Sequence, residues 1–166
     1  MEVAAACPKQ QECVTPELEH EPEAFERIMS FQMPEFVERF AKKHNATQEE
    51  AQEVFQETLR FLYLCRQGKG ARFSFAPSPK IDEGWHNFIL FTKEYKAFCE
   101  KYIGWFIHHQ PVLNGGSGDK YQTTYRVAER IFGSLNQRIW PAFGTGACQV
   151  ACAPGDPCSA PAPDPD

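Results

Sequence analysis

Residues 81–111 read IDEGWHNFILFTKEYKAFCEKYIGWFIHHQP, and their aromatic rings recur at the spacing of a helix surface. A helix predicted over residues 80 to about 90 places Ile81, Trp85 and Phe88 on one face, with Asp82, His86 and Ile89 beside them. Thr92 can cap a second helix that carries Tyr95, Phe98, Cys99 and Tyr102 and ends at Tyr102 or Ile103. Gly104 can then supply a left-handed residue, and the chain returns through Trp105, Phe106 and Ile107. The unit is a pair of antiparallel helices with a returning segment.

The rest of the chain is punctuated in the same way. A short helix is predicted over residues 23–30. Pro34 opens a helix with Phe36, Val37, Phe40 and Ala41 on one face, and Asn45 ends it. Thr47 and Glu50 form a capping box ahead of a helix whose stripe is Ala51, Val54, Phe55, Thr58, Leu62 and Cys65. Residues 71–79 read as extended, and residues 114–119 as a Gly-rich loop. A last helix carries Tyr121, Tyr125, Ala128, Ile131 and Phe132 and ends at Gly133. The expected class is all-α, a single small helical bundle over residues 23–143. A loose lead (1–22) precedes it and a Cys- and Pro-rich tail without a core (144–166) follows.

Composition narrows the partners. Net charge is −5 and the basic residues are dispersed, so a nucleic-acid backbone is not expected as a ligand. No run approaches the ~18 apolar residues of a membrane span, and the first residues lack the pattern of a secretory signal. The expected location is the cytoplasm. There the seven cysteines stay reduced, and metal or redox use is favoured over a disulfide framework.

Candidate chemistry lies in the 81–111 unit. Imidazole and thiolate are the donors that zinc selects. His86 precedes Thr92 by six residues and Cys99 follows it by seven, so a reversal at Thr92 sets both about 10 Å from the turn. Four extended residues after Gly104 span about 13 Å, enough to return His108 or His109 to that level. The two are adjacent and point to opposite sides; His108 is preferred here and His109 kept open. Asp82, one helical turn before His86, either orients its ring or binds the metal itself. The competing account buries His86 against Asp82, makes Cys99 a core residue and reads His108 and His109 as a polar stop. In the tail, Cys148, Cys152 and Cys158 offer soft-metal or redox thiols, which Cys7 and Cys13 could join.

Asp82-x-x-Trp85-His86, followed by Tyr95-x-x-x-Cys99, Gly104 and His108, resembles the pattern of the glycine-rich-domain-containing-protein-like family. The similarity covers residues 81–111, and more loosely 34–67. The Gly-rich region of that family is missing apart from Gly115 and Gly116. The resemblance implies that Asp82, Trp85, His86, Tyr95, Cys99 and His108 belong to one shared constellation, and it implies no activity.

The leading expectation is therefore a non-enzymatic helical protein with a His/Cys/His zinc site that holds the fold or binds a protein or small-molecule partner. One alternative is a zinc-dependent hydrolase-like enzyme, with Asp82 or Glu83 as the base. The other is a metal-free interaction module with redox-active tail thiols.

Overall fold

Prolines open three helices at the first helical position, where the missing N–H costs nothing. They are α1 (Pro22–Met29), α2 (Pro34–His44) and α4 (Pro79–Ile89). The computed structural model describes residues 18–70, 73–110 and 118–142, and shows no strand among them. The other helices are α3 (Gln48–Gly70), α5 (Thr92–Phe98) and α6 (Gly118–Phe132), and α5 continues into a π-helical turn over Cys99–Ile103. The all-α expectation is met. No described helix is long and apolar enough to cross a membrane.

Local signals set most of the ends. Asn45 sits in the left-handed region with φ 50° and closes α2. The Thr47 amide donates to Glu50 Oε2 at 2.9 Å, and the Glu50 amide to Thr47 Oγ1 at 3.1 Å, which is the capping box. Gly104, at φ 95°, ends the π-helical turn. The predicted cap at Thr92 is corrected. The Tyr95 amide already bonds the Phe91 carbonyl at 2.8 Å, so Phe91 holds the cap position and Thr92 lies inside the helix.

Helix α3 is the centre of the bundle, packed by α1, α2, α4 and the π-helical turn. Phe61, Leu62, Tyr63 and Leu64 are consecutive and all fully buried. Four successive residues point around the whole helix circumference, so this half is enclosed rather than striped. Helix α4 lies directly on α3 because Gly84 leaves room. A Cβ there would run into Thr58 Oγ1, with Val54 Cγ1 at 2.9 Å. Helix α5 closes on α4 through Phe88, whose ring meets Tyr95 and Phe98 edge-on at 5.1 and 5.3 Å.

Two chain ends are tied onto this frame. The Glu21 amide donates to the buried Tyr63 hydroxyl at 2.8 Å, with His20 Nδ1 3.0 Å from the same oxygen. At the other end Trp140 is fully buried and donates to Glu57 Oε2 at 2.7 Å. Ser78, the cap of α4, accepts from the Ile81 amide and donates to the Ile139 carbonyl at 2.5 Å. Cys7, Cys13, Cys148, Cys152 and Cys158 lie outside the described residues, as does the Gly-rich loop as far as residue 117.

Candidate metal centre

The face of α4 that turns away from α3 carries Asp82 and His86, one turn apart. His109 comes to them from the irregular segment after Gly104. Asp82, His86 and His109 each offer one ligand atom, and these atoms lie within 4.8 Å of one another. His109 Nε2 is 2.7 Å from Asp82 Oδ1. His86 Nδ1 is 2.7 Å from the Asp82 carbonyl and 3.3 Å from Asp82 Oδ2. Carboxylate and carbonyl oxygens only accept, so His86 Nδ1 and His109 Nε2 are the donors in these contacts, and a metal taken by His109 Nε2 would replace its proton. The rings of His86 and His109 are 4.1 Å apart.

The three side chains differ in exposure. His109 is 13% exposed, Asp82 39% and His86 55%, so the cluster is walled on the His109 side and open to water on the His86 side. Trp85 makes the wall: its ring meets the His109 ring edge-on at 4.5 Å. Trp85 Nε1 in turn donates to the Tyr95 hydroxyl at 3.0 Å, and that hydroxyl donates to the Ile107 carbonyl at 2.7 Å.

Donor chemistry and spacing both suit a divalent transition metal. Two imidazoles and one carboxylate are a recurring zinc and iron(II) set. Donors around a tetrahedral zinc lie about 3.4 Å apart, as bonds of about 2.1 Å require. The His109–Asp82 contact must open by less than about 1 Å to admit the ion, and rotation of the more exposed Asp82 side chain supplies that.

Sequence spacing pointed to Cys99 and His108 as well, and neither joins the cluster. Cys99 is fully buried, with the Ile107 backbone and the Tyr95 hydroxyl as its polar neighbours. Burial raises its pKa, and those neighbours oppose the shift only in part. A thiol held in its protonated form is a poor metal donor. The height argument sets His86 and Cys99 at one level, but on a helix the next residue points about 100° away. Trp85 takes the inward direction facing α5, so Cys99 looks toward Trp85 and Tyr95, and His86 looks outward. His108 is exposed and its ring packs on Phe106 at 4.8 Å. Neighbours on an extended segment alternate sides, so with Phe106 outward, His108 is outward and His109 inward. The partial burial of Ile107 against the exposure of Phe106 was the deciding signal, and composition does not carry it.

Trp85 and Tyr95 are packing residues, Trp85 also meeting Phe61 at 5.4 Å. Cys65 lies on α3 as a free thiol whose pKa burial pushes up.

The arrangement defines a small all-helical protein with a surface cluster of two histidines and an aspartate. Residues 23–134, more than half of the chain, match the model of the UCP032817-like family, and the chain belongs to that family. No curated protein and no solved structure matches it. The match corrects the expected membership of the glycine-rich-domain-containing-protein-like family. The Asp-x-x-Trp-His and Tyr-x-x-x-Cys patterns behind that resemblance are short, and here the Trp85–Tyr95 hydrogen bond accounts for much of them.

Proposed function

We propose that this protein is a metal-dependent binding module. Asp82, His86 and His109 hold one zinc ion at the surface of the bundle, and the side left open takes a donor atom from a partner protein or small molecule. One observation carries the reading: three metal-type donors from two separate segments lie within 4.8 Å of one another on an accessible face. Zinc is favoured over iron(II) and manganese(II) because nitrogen-rich sites bind it more tightly along the divalent series.

Binding is favoured over hydrolysis for a local reason. Zinc by itself lowers the pKa of a bound water, but hydrolysis also draws on a nearby group to move protons, and neither neighbouring carboxylate is placed for that. Asp82 is spent as a ligand. Glu83 is held by Lys80 at 2.7 Å and faces His44 on the neighbouring surface of α4.

The test is zinc competition against a chromophoric chelator. It uses the full chain with Cys7, Cys13, Cys148, Cys152 and Cys158 changed to Ser, so that tail thiols cannot mask the site. One zinc per chain is expected. Asp82→Ala, His86→Ala and His109→Ala should each weaken it at least tenfold, since even groups that only orient ligands are worth that much. His108→Ala should not. Equal zinc uptake by the parent and all three ligand variants sinks the reading.

A further inference from the structure

His109 belongs to a segment with little holding it. Residues 105–110 form no helix, and no backbone–backbone hydrogen bond ties them to another described residue. Trp105 and Ile107 pack on the core and His109 meets Asp82 and Trp85, while the hydrogen bond to the segment's backbone comes from one side chain. Tyr95 is 1% exposed. Its hydroxyl donates to the Ile107 carbonyl at 2.7 Å and accepts from Trp85 Nε1 at 3.0 Å, and its ring meets Phe106 edge-on at 5.3 Å. Cys99 lies against the Ile107 backbone from behind, and Lys69 Nζ sits 4.1 Å over the Trp105 ring. Ile107 is two residues before His109, so both point to the bundle side of the segment.

We propose that Tyr95 is the positioning residue of the Asp82/His86/His109 site: by holding the Ile107 carbonyl it docks the 105–110 segment and sets His109 against Asp82. This rests on the metal reading above. A consequence follows by linkage, since a group that orders a ligand and the ion bound by that ligand favour the same state. Tyr95 raises metal affinity without touching the metal, and the metal in turn holds the segment down over Cys99.

The test uses the full chain with the five lead and tail cysteines changed to Ser. Zinc affinity is measured for the parent, Tyr95→Phe, His109→Ala, and the double variant. Tyr95→Phe keeps the ring and loses the hydroxyl. It should bind zinc about tenfold or more weakly, yet show the parent's cobalt(II) spectrum at saturation, because the same three ligands reassemble. In the His109→Ala background the Tyr95 change should cost nothing further, since its effect passes through His109. A loss of the same size in that background, or parent affinity in Tyr95→Phe, overturns the assignment. If His109→Ala itself binds like the parent, the metal reading fails and takes this one with it.

A second measurement needs no variant and decides the matter if Tyr95→Phe does not fold. Zinc should slow alkylation of Cys99 in the parent at least about tenfold. An unchanged rate at saturating zinc overturns the coupling.

Discussion

Asp82 and His109 are 27 residues apart in sequence, and Asp82 Oδ1 lies 2.7 Å from His109 Nε2. The contact joins a helix face to an irregular segment, and it brings His86 into range because Asp82 also reaches that ring. Asp82 thus links the cluster, bonded to His109 through its carboxylate and to His86 through its backbone carbonyl, with Oδ2 3.3 Å from the same His86 nitrogen.

Asp82→Asn separates function from stability. The amide keeps the shape but not the charge, so zinc affinity should fall at least about tenfold. Asp82 is more than a third exposed, and its hydrogen bonds are screened by water, so unfolding free energy should fall by no more than about 1 kcal/mol. Chelator competition and urea denaturation on the same sample check both. A large stability loss with intact zinc binding would make Asp82 a structural residue.

Gly84→Ala tests the α3–α4 approach that presents the site. The added methyl meets Thr58 Oγ1 and Val54 Cγ1, and overpacking of this kind costs about 1–3 kcal/mol. Thr58→Ala opens the space, so the double variant should be more stable than the sum of the single losses predicts. Denaturation midpoints of the four proteins decide it, and strict additivity would contradict the close contact.

Trp140→Phe removes the donor to Glu57 Oε2 and leaves only Arg60 on the other oxygen, at 2.9 Å. A buried carboxylate oxygen without its partner costs about 1–3 kcal/mol. Thermal unfolding should show the loss, and Glu57→Gln in the Trp140→Phe background should recover part of it. No recovery would place the cost in packing instead.

Alkaline pH should weaken the fold. Burial raises the pKa values of Cys99, Cys65 and Tyr95, so the folded state holds these protons more tightly than the unfolded chain does. The contribution of the two thiols is complete below their ordinary pKa of about 8.5, and that of Tyr95 below about 10; each declines as pH rises above that point, by up to about 1.4 kcal/mol per pH unit. Unfolding free energy measured from pH 7 to 10 should fall, and Cys99→Ala should make the fall shallower. A flat profile would mean that these thiols are open to water in the native state.

Much of this molecule was legible without coordinates because the signals are local. Pro34, the Thr47–Glu50 box, Asn45, Gly104 and Gly133 act through bonds and dihedrals within a few residues, and each marks the helix end expected of it. Asp82 and His86 are one turn apart on a helix, so their pairing also needed no fold. Thr92 misled because its neighbour Phe91 already accepts the first helical bond, a choice the capping preference of threonine does not control.

The amino-acid sequence by itself determined the helices, most of their ends, and the Asp82–His86 half of the candidate site, since all of these depend on contacts along a single turn. Tertiary structure alone decided that α3 is enclosed on every side at Phe61–Leu64, that Cys99 faces inward with Tyr95 and Ile107, and that His109 rather than His108 meets Asp82. Those outcomes depend on which face of a segment packs against elements far away in the chain. Periodicity reports that a face exists and says nothing of what it will meet.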